Sequence, residues 1–221
     1  MLIIFDCDGV LVDSEPLAAR ELQRYLKDIA FPVQIDESSH DQFLGLTLKA
    51  IRKTLEAEAD CRLPKDFEEE LRCRDKVVFS QHLKAIPGIL EALVSMEVSK
   101  CVASSGSQDK IRNSLSLTGL LDSFAPYLFS ADDPGIERGK PAPDLFENAA
   151  MEMGFSPNQC IVVEDSVAGV TAGLAAGMYT IGFTGGSHCG TEHEEKLRLA
   201  GAHKTIPHMA SLPPIVNAKN S

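Results

Sequence analysis

No stretch of this chain approaches the roughly 18 consecutive apolar residues that a membrane-spanning helix requires. The opening MLIIFDCDG also lacks the basic start and extended apolar core of a secretory leader, because two acids interrupt the apolar run at once. These absences predict a cytoplasmic protein without a membrane partner. Base is scarce as well: 21 Lys and Arg stand against 32 Asp and Glu, a net charge of −11. Such a balance argues against non-specific nucleic-acid binding, and it leaves any anion site to build its own local positive field. The six cysteines, at 7, 61, 73, 101, 160 and 189, form no CxxC pair. Neither a zinc knuckle nor a redox dithiol is expected, and the cysteines read as reduced packing residues. Internal repeats and low-complexity segments are also missing.

What is present suits a globular chain: 221 residues, 44% hydrophobic and 24% charged. That length holds one generous domain, or a core carrying a smaller inserted one. Short apolar runs recur at Leu2–Phe5, Cys101–Ala103, Tyr127–Phe129, Cys160–Val163 and Tyr179–Phe183, each of the kind that forms a buried parallel strand. Helical patterns lie between the later runs: Ile89, Leu90, Leu93, Val94; then Ile111, Leu115; then a helix from about Pro141 to Met153; then Ser166 to Ala176. In the last of these, Gly169 and Gly173 permit close packing on the sheet. The alternation predicts an α/β fold, a Rossmann-like, doubly wound parallel sheet. Residues 15–84 break it with three apolar stripes at helical spacing: Leu22, Tyr25, Leu26, Ile29; Leu48, Ile51, Leu55; and Phe67, Leu71, Val78. The expectation is a catalytic core of residues 1–14 and 85–221 with an inserted all-helical cap of residues 15–84, joined through a paired hinge.

The sharpest chemical signal is Phe5-Asp6-Cys7-Asp8-Gly9-Val10-Leu11-Val12-Asp13-Ser14. An apolar strand delivers Asp6 and Asp8 to its C-terminal end, where open α/β sheets place their sites. In extended backbone, residues two apart point the same way, so Cys7 points away from the site. Gly9 lets the chain turn sharply off the sheet. Two same-facing carboxylates call for a cation to relieve their repulsion.

DCDGVLVDSE resembles the first motif of the haloacid dehalogenase (HAD) superfamily, DxDGxLxDSE, and three further segments resemble its other motifs in order. Cys101-Val102-Ala103-Ser104-Ser105-Gly106-Ser107 corresponds to the second, with Ser104 as the phosphate-binding hydroxyl and Ser105 adding a backbone N–H to an anion cradle. Gly139-Lys140-Pro141-Ala142-Pro143-Asp144 is similar to the third, GKPxPD, which gives Lys140 the task of balancing the nucleophile and the phosphoryl charge. A nucleotide P-loop is the competing reading of Gly135 to Lys140. It fails because one residue too few separates the glycines and Pro141 stands where Ser or Thr is required. Ile161-Val162-Val163-Glu164-Asp165-Ser166 resembles the fourth.

The resemblance implies a hydrolase with Asp6 as nucleophile, Asp8 as general acid and base, and Mg2+ as cofactor. The metal would be held by Asp6, the backbone carbonyl of Asp8 and Asp165, with Glu164 binding through water or holding Lys140. Asp8 disfavours a dehalogenase, which lacks an acid there. The helical insert resembles the small cap of the subgroup containing sugar-phosphate phosphatases and β-phosphoglucomutase, with Gly45, Leu46 and Thr47 at the position of the specificity loop. The mutase carries an arginine after this loop and a histidine on the first cap helix; here Leu48 and Ala18 stand there, with Lys49 adjacent.

The expected activity is therefore a phosphatase acting on a small phosphorylated metabolite, a sugar phosphate or a sugar-acid phosphate such as 6-phosphogluconate. A phosphosugar mutase is the first alternative and a non-catalytic phosphate-binding module the second. The cap is expected to bring few cations, and the protein to be a monomer, with a weak dimer as the alternative. In the loop Gly185 to His193, the two histidines and Cys189 offer a soft-metal site as the lesser reading, but His188, Cys189 and His193 match no zinc pattern and the loop reads better as mobile surface. The acidic run Asp66–Glu70 reads as a solvated helix face.

Overall fold

The computed structural model describes residues 1–33, 35 and 40–220. Six strands form one wholly parallel sheet: β1 (Leu2–Phe5), β2 (Ser99–Ser104), β3 (Leu128–Ser130), β4 (Cys160–Glu164), β5 (Tyr179–Phe183) and β6 (Lys204–Ile206). Their order is β3-β2-β1-β4-β5-β6. It reverses beside β1, which pairs with β2 on one edge and β4 on the other, Phe5 lying between Val102 and Val163. The crevice at this reversal is where an open α/β sheet takes its ligand.

The side-chain alternation of the central strands feeds two apolar layers. Ile3, Phe5, Val102, Ile161, Val163 and Ile181 pack on one face with residues from α4 (Ile89–Val94), α5 (Gln108–Leu117) and α9 (Leu212–Asn220). Leu2, Ile4, Cys101, Ala103 and Val162 pack on the other against Leu145, Phe146 and Ala149 of α6 (Asp144–Glu152) and Ala172 of α7 (Val167–Ala175). Cys7 is buried in the first layer, away from the acids that flank it. α8 (His193–Leu199) covers the sheet near β5 and β6.

Three helices follow β1: α1 (Glu15–Asp28), α2 (Leu48–Ala59) and α3 (Phe67–His82). They bury a separate core of Leu22, Tyr25, Leu26, Ile51, Leu55, Phe67 and Leu71. The chain enters and leaves this block along two antiparallel segments: Val12 bridges Ala85, Asp13 N–H donates to Lys84 O at 2.9 Å and Ile86 N–H to Leu11 O at 2.9 Å.

The structure differs from the sequence expectations in five elements. β6, α8 and α9 were not anticipated. α6 begins at Asp144 rather than Pro141, because Pro141 and Pro143 each disfavour helical backbone at the residue before them. The buried register of α3 is Phe67, Leu71, Asp75, Phe79, so Phe79 rather than Val78 completes the stripe. Glu68 pairs with Arg52 at 2.8 Å, so the acidic run is not simply solvated.

Candidate active site

The C-terminal ends of β1, β2 and β4 converge. β1 runs out at Asp6, whose backbone N–H still donates to Val163 O at 3.0 Å and so holds it level with the end of β4. Gly9 follows with φ +74°, and a Cβ there would strike the Asp165 carboxylate. Only glycine lets this turn approach the end of β4 so closely. β4 ends in Glu164 and Asp165, and Ser166 caps α7 by accepting from Gly169 N–H at 2.9 Å.

Lys140 is the hub. Its ammonium donates to Asp6 Oδ1 and to Glu164 Oε1, each at 2.5 Å, in a fully buried arrangement, and sits 5.0 Å from the Phe146 ring centroid. Burial works against the charged lysine, but the carboxylates of Asp6 and Glu164 outweigh it and hold Lys140 above its ordinary value. Burial pushes the Asp6 carboxyl well up; Lys140 opposes, and Glu164, Asp165 and Asp8 add to the rise. Asp165 is likewise raised, by burial first and then by Glu164. A buried site holding more carboxylate than ammonium favours a divalent cation with oxygen preference, so the donor set fits Mg2+.

Glu164 is spent elsewhere. Its Oε1 faces Lys140 and its Oε2 accepts from both Ser166 N–H and Ser166 Oγ at 2.9 Å. Of the two roles expected for Glu164, the contacts match the second, holding Lys140: both oxygens accept from protein donors.

Asp8 is held from two sides, Oδ1 accepting from Ser14 Oγ at 2.6 Å and Oδ2 from Lys110 Nζ at 2.9 Å. Burial raises its pKa, yet Lys110 and Ser14 together bring it below the usual value. Glu15, beside them, is pushed up to about 8 by burial and by the charges of Asp8 and Asp165. Ser104 is buried and its Oγ accepts from Gly106 N–H at 3.1 Å, while Ser105 Oγ donates to Gly45 O at 2.7 Å, tying the second motif to the loop of Gly45, Leu46 and Thr47. Thr47 also caps α2 by accepting from Ala50 N–H.

A cavity of about 1220 Å³ opens above these groups, lined by Asp6, Asp8, Ser104 and Ser105 below and by helical-block residues above, among them Ala18, Leu46, Thr47 and Leu48. Lys49, Arg52, Arg72 and Lys76 also line it, which corrects the expectation that the cap brings few cations. Arg72 lies 4.0 Å from Asp132 of the core.

The loop after β5 is a second correction. It is not mobile surface: His188 Nε2 lies 2.9 Å from Asp165 Oδ2, His193 Nε2 lies 2.6 Å from Asp165 O, and Ser187 Oγ donates to Asp13 at 2.8 Å. Sequence reasoning missed His188, Lys110, Ser14 and Glu15. Ser14 and Glu15 stand inside the first motif itself. Lys110, three residues after the N-cap Ser107, was findable as a first-turn residue of the helix leaving the second motif. For His188 the only signal was its place in a glycine-rich loop after a core strand.

Comparison with known proteins agrees with this architecture. The model of the haloacid dehalogenase-like hydrolase family matches residues 3–183. The 6-phosphogluconate phosphatase of Escherichia coli is 32% identical over 219 residues, covering 98% of this chain and 95% of that protein. Among solved structures, a haloacid dehalogenase-like protein of Agrobacterium tumefaciens is 38% identical with a TM-score of 0.84, covering 100% of this chain and 99% of the other. A HAD-family hydrolase of Deinococcus radiodurans, solved with bound phosphate and sodium, is 29% identical with a TM-score of 0.76, covering 99% and 96%.

The chain belongs to the haloacid dehalogenase-like hydrolases. Within that family, its resemblance to named phosphatases makes it a phosphoric monoester hydrolase.

Proposed function

We propose that this hydrolase is a Mg2+-dependent phosphatase of a small sugar phosphate or sugar-acid phosphate, 6-phosphogluconate being the leading candidate, acting through an aspartyl phosphate on Asp6. The reading is carried by the Lys140 ammonium, seated 2.5 Å from both Asp6 and Glu164 at the sheet's reversal point beneath the cavity. Residues 1–14 and 85–221 act as the catalytic core and residues 15–84 as the cap.

A carboxylate oxygen of Asp6 attacks phosphorus as the bond to the leaving oxygen breaks, and Asp8 delivers a proton to that oxygen. Asp8 is held ionised by Lys110 and Ser14 in the free site, so it takes a proton from solvent as the substrate enters and passes that proton to the leaving oxygen. In the second half, Asp8 takes a proton from water attacking the same phosphorus, phosphate leaves, and Asp6 is restored. Lys140, Ser104 Oγ and the backbone N–H of Ser105 steady the equatorial oxygens. Asp6, Asp165 and the backbone carbonyl of Asp8 would hold Mg2+, which would supply the remaining charge neutralisation.

Support for the substrate class comes from the E. coli relative, whose likeness runs nearly end to end, and from the cap cations, which offer a sugar acid's carboxylate a counter-charge. Ala18 and Leu48, both on the cavity wall, leave the mutase reading without its histidine and arginine.

The test is phosphate release from a panel of phosphorylated metabolites, with Mg2+ and with EDTA, for the wild type and Asp6→Asn. Release that requires Mg2+, favours sugar-acid phosphates and falls by at least about 10³-fold in Asp6→Asn is expected. Phosphate release unaffected by Asp6→Asn would sink the mechanism. Conversion of a sugar 1-phosphate to its 6-phosphate isomer, without net release, would replace the phosphatase by the mutase.

A further inference from the structure

Three side chains with no part in this mechanism's proton or phosphoryl steps converge on the back of Asp165. His188 Nε2 lies 3.4 Å from Cys189 Sγ and 2.9 Å from Asp165 Oδ2. His193 approaches from the first turn of α8, its ring centroid 5.4 Å from that of His188 and roughly perpendicular to it. One ligand atom from each of His188, Cys189 and His193 lies within 4.8 Å of the others. Tetrahedral zinc, with bonds of about 2.0 Å to nitrogen and about 2.3 Å to sulfur, sets its ligands roughly 3.3–3.6 Å apart. The His188–Cys189 pair already stands at that spacing, and the third ligand needs to close by about 1.5 Å at most. The arrangement is also held in place. A Cβ at Gly186 would run into the His188 ring and Gly9 O, so the loop lies pressed against the turn that carries Asp8. Ser187 fastens the same loop to Asp13.

We propose that His188, Cys189 and His193 form a second metal site, selective for a thiophilic divalent ion such as Zn2+, and that Asp165 supplies its fourth ligand. Two imidazoles and a thiolate suit zinc and offer little to Mg2+, which demands oxygen. Binding displaces the Cys189 thiol proton to solvent and takes both histidines in their neutral form. Because Asp165 is also the proposed magnesium ligand, occupancy of the soft site withdraws it from the catalytic one. Zn2+ therefore switches the phosphatase off from beside its active site. This inhibitory consequence rests on the proposed role of Asp165; the binding itself does not.

The experiment uses the full chain in a Cys61→Ser/Cys73→Ser background, which removes the two exposed thiols. Co2+ added to metal-free protein is the probe of ligand type, and Zn2+ binding is read by competition with a chromogenic chelator. One equivalent of Co2+ with a thiolate-to-metal charge-transfer band is expected. Cys189→Ser should abolish that band, weaken Zn2+ binding at least about tenfold and leave Mg2+-dependent activity unchanged, while raising the Zn2+ concentration needed for half-inhibition by the same factor. His193→Asn, checked for native circular dichroism, should weaken Zn2+ similarly. A cobalt spectrum without a sulfur band, or Zn2+ affinity indifferent to Cys189→Ser, would overturn the site and assign the ion to the carboxylates. If the band forms but Zn2+ does not inhibit, the site stands and the role given to Asp165 fails.

Discussion

Asp75 shows how much one side chain in the wrong solvent costs. It occupies the buried stripe of α3, between Leu71 and Phe79, and lines the cavity. Burial pushes its carboxyl up to about 6; Lys110 opposes the shift, while Asp8 and Glu21 add to it. A folded-state value above the unfolded one means that the folded chain holds the proton more tightly. Stability therefore falls as pH rises from about 4 to about 6 and stays lowered above that. A shift of this size corresponds to roughly 3 kcal/mol at most. Asp75→Asn should accordingly stabilise the protein by about 1–3 kcal/mol at pH 8 and by close to nothing at pH 4. Urea unfolding at the two pH values measures this; equal effects at both would show that Asp75 is not strained by its charge. The same residue explains a misread register. An acid in the middle of a buried stripe hides the i, i+4 spacing of Phe67, Leu71 and Phe79, so sequence periodicity passes to Val78 instead. Asp6, Asp8, Ser104, Lys140 and Asp165 were legible because each sits at a strand end or a proline frame that announces itself locally. Lys110 and His188 reach the site from helix and loop across the fold, and nothing short of the tertiary structure brings them there.

Among the elements, α7 carries the closest fit to the site. Gly169, in its first turn, donates its N–H to Ser166 Oγ, and a Cβ at this position would overlap the Glu164 carboxylate. On helix propensity alone, Gly169→Ala should stabilise by about 1 kcal/mol. The overlap works the other way, since Glu164 is locked between Lys140 and Ser166 and has no free direction to move. Overpacking of this kind typically costs about 1–3 kcal/mol, which outweighs the propensity gain. Gly169→Ala should therefore lower the unfolding temperature and, by displacing Glu164 and with it Lys140, reduce kcat with little change in KM. A raised unfolding temperature with normal kcat would mean that Glu164 is not constrained as described. The elements that sequence reading found are β1 to β5 as apolar runs and α1 to α7 as helical stripes or patterns. β6 has only Lys204-Thr205-Ile206, α8 buries only His193 and Leu197, and α9 opens on Leu212-Pro213-Pro214. Elements with so few apolar residues in register are defined by what they pack against rather than by their own periodicity.

For the molecule as a whole, the question is what holds the helical block over the core. The two hinge segments lie side by side through Val12 and Ala85, so they constrain the block to swing about one line. Opposite that line, the contacts that keep it down among the described residues include Ser105 Oγ donating to Gly45 O, Lys110 against the Phe79 ring at 5.7 Å, Arg72 facing Asp132 at 4.0 Å and Gly45 packed closely on Ser166. The first is the shortest and joins the proposed phosphate-binding segment directly to the proposed specificity loop. A neutral hydrogen bond of this kind contributes about 1 kcal/mol net, which is a shift of about fivefold in the closed population. Ser105→Ala keeps the backbone N–H proposed to face the phosphoryl group and removes only this tether. It should lower kcat/KM about fivefold for a sugar-acid phosphate that must be enclosed by the cap. For a compact substrate that makes no cap contact, the loss should be smaller, because closure then contributes less to transition-state binding. An equal loss for both substrates would place the effect of Ser105 at the phosphate itself, and the cap would then owe its position to the hinge and the remaining contacts of Lys110 and Arg72.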